Sequence, residues 1–172
     1  MKKIRVAALV VMFVVVAGAA VAQAQGRAGA ELPHSKAVIS LAAAEKIAAA
    51  AQAEADKRGA TVVIAIVDDG GHLILLKRLD DTQVASVEVG IGKARTAAIF
   101  RRPSKVFEDQ IKNGRAASLV LPGATPLQGG VPITFEGKVI GAIGVSGNTP
   151  QEDEDIAYAG AAVAQKALKG EK

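Results

Sequence analysis

The sequence predicts an α+β fold, an antiparallel sheet of about five strands with helices packed on it. Three observations carry the prediction. A β-branched run and a second apolar run flank an Asp-Asp-Gly-Gly turn at residues 68–71. A second pair of runs meets at Glu136-Gly137. Capped, Ala-rich segments stand before, between and after these hairpins. The order is helix, hairpin, two helices, then a strand with a hairpin, then helix.

Each element has its own local cause. Ser40 is the expected N-cap of a helix running to about Arg58, and Gly59 is its C′ stop. Leu41, Ala44, Ile47, Ala48 and Ala51 share one face at helical spacing. Thr61 to Val67 and Leu73 to Leu76 form the first hairpin, because the glycines between them can take the positive φ angles a tight turn requires. Both runs are apolar at odd and even positions alike, which predicts strands buried on both faces. Asp80-Asp81-Thr82 opens a second helix, about Gln83 to Phe100, closed by Pro103. Ser104 is the expected cap of a short third helix stopping near Gly114. Ala116 to Leu121 reads as a fifth strand, Pro122 to Gly130 as loop, and Val131–Phe135 with Lys138–Val145 as the second hairpin. Thr149-Pro150-Gln151-Glu152 combines a capping box with proline at the first helical position, opening a helix to about Leu168.

The N-terminus reads as a leader. Met1-Lys2-Lys3-Ile4-Arg5 is a basic start, Val6 to Ala22 carries no polar side chain, and Ala20-Val21-Ala22 and Ala22-Gln23-Ala24 fit the small-x-small cleavage pattern. The expected organisation is a signal peptide over residues 1–24, a flexible lead-in over 25–39 and one domain over 40–168. A periplasmic or secreted location follows, without stable membrane insertion after cleavage.

Losing the leader changes the charge balance. The chain has 21 Lys plus Arg against 17 Asp plus Glu, and Lys2, Lys3 and Arg5 leave with the leader, so 18 − 17 gives +1. With that balance, one Tyr, four Phe and no Trp, nucleic acid is an unexpected partner. The absence of cysteine excludes thiolate catalysis, Cys-ligated zinc and iron–sulfur clusters.

Candidate chemistry is sparse. His34 falls in the lead-in and reads as a solvated residue. His72 follows the double-Gly turn on the face of Ile74 and Leu76, and reads either as a hydrogen-bonded strand-edge histidine or as a metal or haem ligand. Lys93, Thr96 and Phe100 share a helical face, with Arg101 and Arg102 at its C-terminus. These arginines either complement the helix dipole or pair with ligand carboxylates. Gly141, Gly144 and Gly147 form G-x-x-G-x-x-G, not a dinucleotide fingerprint. The acids Glu152 to Asp155 that follow would repel a pyrophosphate, so the glycines read as sites of close packing against a helix or another subunit. Ser146 lacks the G-x-S-x-G elbow of a serine hydrolase.

Taken together, several motifs resemble the GlcG/HbpS family of haem-binding-type domains. They are Ile66-Val67-Asp68-Asp69-Gly70-Gly71-His72-Leu73, Lys77-Arg78-Leu79-Asp80, Lys93-Ala94-Arg95-Thr96-Ala97 and Phe100. They continue with Leu121-Pro122-Gly123, the run from Pro126 to Ile133, Ile140 to Gly147, and Asp153-x-Asp155-x-Ala157. The likeness spans about Ser40 to Leu168. It implies a profilin-like domain with a five-stranded antiparallel sheet, a homo-oligomer, and haem as the ligand in a pocket between sheet and helices. A related domain forms the C-terminal part of a type of cobalamin adenosyltransferase. His72 is the candidate axial ligand, and Thr96, Phe100, Arg101, Gly129, Gly130 and Val131 are expected around the cofactor. The alternative is an enzyme acting on a small oxygenated acid or ring compound, with His72, Glu88 or Lys93 as acid or base. Glu88 and Lys93 lie about 140° apart around one helix, so they need not converge.

Overall fold

The computed structural model describes residues 36–164 and residue 168. The expected leader, His34 and the last turns of the predicted C-terminal helix lie outside the described residues. The elements run α1 (Leu41–Arg58), β1 (Val63–Asp68), β2 (Leu73–Arg78), α2 (Ser86–Phe100), α3 (Lys105–Lys112), a 3₁₀ turn (Ala116–Val120), β3 (Gly130–Phe135), β4 (Lys138–Ser146) and α4 (Pro150–Ala162). The strands form one antiparallel sheet in the order β2-β1-β4-β3.

The sheet therefore has four strands, not five. Residues 116–120 close on themselves instead of pairing. Ser118 N–H donates to Arg115 carbonyl at 3.2 Å, and its hydroxyl donates to Gln110 Oε1 at 2.7 Å. The apolar Leu119 and Val120 that make the segment look like a strand are 61% and 80% exposed. A turn against α3 satisfies the backbone locally, so the segment needs no sheet edge.

The caps behave as the sequence predicts. Ser40 accepts from Ala43 N–H at 3.2 Å, and Gly59 takes φ 63° while its N–H reaches the carbonyls of Ala55 and Asp56. Thr149 accepts from Glu152 N–H at 3.3 Å and donates to Glu152 Oε2 at 2.6 Å. Ser104 is an exception. Its side chain caps nothing. Its hydroxyl instead donates to Leu127 carbonyl at 2.5 Å and accepts from Gly130 N–H at 2.8 Å, tying α3 to the loop before β3.

Helices α1 and α4 pack on one face of the sheet and α2 on the other. The first interface is large and branched, with Ile47, Ile64, Ile66, Ile133, Ile143 and Ile156 fully buried. Each such side chain contributes about 1.5–3 kcal/mol by leaving water. The second is built of small residues: Ala65, Val67, Ala94, Ala97, Ala98 and Ala142. There the helix backbone meets the sheet directly. A Cβ on Gly144 would lie 2.1 Å from Gly90 carbonyl oxygen and 2.5 Å from Ala94 N, and one on Gly130 would lie 2.1 Å from Lys93 carbonyl oxygen. The close packing against a helix read from the glycine motif is found at Gly144.

Strand β1 is buried on both faces, as expected, but β2 is a half-exposed edge strand. The β1–β2 register shifts between Ile66 and Val67. Beyond such a bulge the alternation of faces breaks. Ile74 packs on the branched core while Leu76 packs on the small-residue core, so the shared face expected for His72, Ile74 and Leu76 does not form.

Candidate functional site

The first hairpin ends in a turn held by one carboxylate. Asp68 Oδ1 accepts from Gly70 N–H at 2.8 Å and from His72 N–H at 2.9 Å. Asp68 N–H in turn donates to His72 carbonyl at 2.9 Å. Burial pushes the Asp68 carboxyl up, but these two amides and the nearby imidazole outweigh it and hold the group below the usual aspartate range. Gly71 takes φ 82°, which an L side chain rarely adopts. His72 projects from this fixed turn with its side chain 83% exposed and Nδ1 3.3 Å from Asp68 Oδ1. It therefore stands in solvent, not at the start of a buried strand.

The turn rests on the outer edge of α2. A Cβ on Gly71 would lie 2.7 Å from Arg95 Cγ and 3.2 Å from Ile99 Cγ2. The loop before β3 reaches the same two residues from another side. A Cβ on Gly123 would lie 3.3 Å from Ile99 Cδ1 and 3.6 Å from Arg95 Nε. Thr96, one residue on from Arg95, fixes that loop from inside: its hydroxyl donates to Gly92 carbonyl and accepts from Thr125 N–H, each at 2.7 Å. Gly71 of the hairpin turn and Gly123 of the loop thus converge on Arg95 and Ile99 at the helix edge, a shelf bordered in the chain by exposed His72 and half-exposed Leu73, which follow Gly71.

The other predicted residues are dispersed. Phe100 packs edge-on against Phe107, ring centroids 4.9 Å apart, so its ring serves the α2–α3 contact. Arg101 takes φ 54° at the end of α2, is exposed, and its side chain has no polar partner among the described residues. Thr96, Gly129, Gly130 and Val131 are buried. Gly129 lies against Val145, Lys93 and Asp153, and Gly130 against the α2 backbone. The space expected between sheet and helices is filled at α2 by these backbone contacts. A separate open depression of about 270 Å³ is lined by Arg78, Leu79, Asp80 and Asp81, which is below the roughly 300–1,000 Å³ of small-molecule pockets.

The acid–base candidates do not meet. Lys93 is buried, with Nζ 2.7 Å from Asp153 Oδ2 and 3.0 Å from Val145 carbonyl oxygen. Burial pushes the Asp153 carboxyl up, against the opposing pull of Lys93 and of the Asn148 and Gly147 amides. Val145 pairs with Ile64, four residues along β1 from the His72 turn, roughly 13 Å at strand rise. Glu88 is exposed on α2. Sequence reasoning missed Arg95, Ile99 and Asp68 as site residues; the available signal was the i, i+4 spacing of Arg95 and Ile99 beside a Gly-Gly-His turn.

Comparison with known proteins supplies the context. A family model described as "Haem degrading protein HbpS-like" matches residues 39–162. Protein GlcG of Escherichia coli K12 is 46% identical over 112 residues, covering 65% of this chain and 84% of GlcG. Among solved structures, a double mutant of Streptomyces reticuli HbpS superposes with a TM-score of 0.70 at 34% identity, over 78% of this chain and 92% of that one. PduOC in complex with haem superposes with a TM-score of 0.67 at 27% identity, over 73% of this chain and 94% of that one.

Proposed function

The chain belongs to the HbpS-like family, and from that premise we propose that it is an exported, homo-oligomeric haem-binding protein that senses, scavenges or stores haem. Export rests on the basic, apolar N-terminus with its small-x-small ends. Two structurally similar proteins support haem as the ligand, HbpS by membership and PduOC by its haem complex.

The observation that carries the reading is His72. Its imidazole is displayed on a turn that Asp68 makes rigid, and Nδ1 faces that carboxylate. An imidazole whose Nδ1–H is oriented by a carboxylate offers its Nε2 lone pair to a metal, the usual outer arrangement of a metal-binding histidine. Half-exposed Leu73 follows His72 in the chain and Ile99 packs against Gly71 just before it, apolar groups that would suit a porphyrin face, so the residues of the shelf fit haem. Arg101, exposed at the end of α2, is a candidate for a propionate should the ligand extend that far. Bound haem would supply a redox-active iron and a visible absorption band. The chain's own part is to present the imidazole, hold its orientation, and keep Thr96 under the loop that borders the shelf.

A haemin titration of the full chain, followed by absorption with His72→Ala alongside, tests this. A saturable, shifted Soret band in the wild type that is displaced or lost in His72→Ala is the expected result. A wild type without a saturable band removes the proposal, and an identical band in the variant moves the axial ligand away from His72.

A further inference from the structure

Arg95 is the unexplained cation of the shelf. It is exposed, and among the described residues its guanidinium has no hydrogen-bond or ion-pair partner. Several other cations are paired: Lys93 with Asp153, Arg58 with Glu54 and Asp155, Lys105 with Asp109. Yet the stem of Arg95 is not loose. It runs between two left-handed glycines, Gly71 at φ 82° and Gly123 at φ 74°, and a Cβ at Gly71 would sit 2.7 Å from its Cγ. In the turn, Asp68 already accepts two backbone amides and faces His72. The fold therefore clears a channel for this side chain, holds its stem, and leaves its charge unanswered.

We propose that Arg95 is a carboxylate-recognising residue, so that the shelf selects planar ligands bearing free carboxylates over their neutral esters. The inference rests on the haem reading for the planar ligand and goes beyond it in naming the group that reads the ligand's edge. A guanidinium can donate two parallel N–H bonds to one carboxylate, and a held stem loses less rotamer freedom on binding than a free one. A lysine would supply charge without the fork. Arg95 is a specificity residue; the metal contact belongs to His72.

The experiment titrates the full chain with haemin, and then with metal-free protoporphyrin IX and its dimethyl ester by fluorescence, using wild type, Arg95→Gln and Arg95→Lys. The expected result is a loss of about tenfold or more in affinity for both diacids in Arg95→Gln, the scale of one charge-assisted hydrogen bond. Arg95→Lys recovers part of it, and the Soret position of bound haemin stays unchanged. The dimethyl ester binds all three proteins alike. Haemin binding that is equal in wild type and Arg95→Gln overturns the assignment and leaves the haem reading standing. A wild type that binds neither diacid removes both. Should Arg95→Gln fail to fold, the wild-type preference for diacid over ester decides, and equal affinities refute the proposal.

Discussion

Replacing Lys93 by methionine tests the packing logic most sharply. The Lys93 and Asp153 side chains are 5% and 3% exposed, and the pair joins α2 on one face of the sheet to α4 on the other. Removing the ammonium leaves a buried carboxylate with only backbone amides to answer it. Breaking such a pair from one side costs about 3–5 kcal/mol. With a urea m-value of about 2 kcal/mol/M, the unfolding midpoint should fall by about 1.5–2.5 M at fixed protein concentration. The pH dependence carries a sign. Burial already raises Asp153 above its ordinary value. A carboxyl raised in the folded state contributes stability below its unfolded pKa, about 3.9, and loses it as pH rises through the folded pKa. Without Lys93 that folded pKa climbs further, so the deficit of Lys93→Met relative to wild type is largest at pH 7 and shrinks on acidification. Adding Asp153→Asn should recover part of the loss, because the buried charge is then gone. A Lys93→Met protein within about 1 kcal/mol of wild type, with the same pH profile, would refute the reasoning.

Two further predictions concern the frame of the shelf. Gly144→Ala drives a Cβ into Gly90 carbonyl oxygen and Ala94 N, backbone atoms that cannot rotate away; the cost should reach about 3 kcal/mol or more, seen as a melting temperature lower by more than about 6 °C. The depressed Asp68 carboxyl should make the Gly70 and His72 amide resonances titrate together, with a midpoint below the ordinary aspartate value of about 3.9. Hairpin stability from this group is present above that range and lost as pH falls through the folded pKa, and amides that titrate separately would contradict the turn geometry.

What could be read from the sequence was what local chemistry decides. Ser40, Gly59 and Thr149 mark helix ends because caps act within one turn of the chain. Both hairpins were legible for the same reason, through Gly71 and through Glu136-Gly137, which takes φ 49° and 76°. The rest depended on contacts between distant segments. Leu119 and Val120 look like strand residues, yet no sheet edge takes them. The Leu73–Leu76 run of β2 is wholly apolar like most of β1, but its place at the edge exposes it. His72 was read on a face that a register shift removes. The burial of Lys93 required knowing that Asp153 folds back against it. Arg95 was visible within a motif, but its isolation and its two glycine neighbours come from turns far along the chain.

These distant contacts also bear on what kind of ligand the proposed shelf would take. Helix α2 is fixed on its inner side by Gly90 and Lys93 backbone atoms pressed on Gly144 and Gly130, and by Thr96 holding Thr125. Its outer edge, Arg95 and Ile99, is therefore a rigid surface that ligand binding need not order, which lowers the cost of association. A rigid, open shelf contacts a ligand from one side only. It favours a flat molecule with an apolar face and a charged rim over a compact one that would need enclosing walls. Under the proposed reading, a planar tetrapyrrole with peripheral carboxylates would meet both conditions, with His72 available to its metal and Arg95 to its rim. In the proposed homo-oligomer a second copy could cover the ligand's outer face, and haemin affinity would then rise with protein concentration across the assembly range.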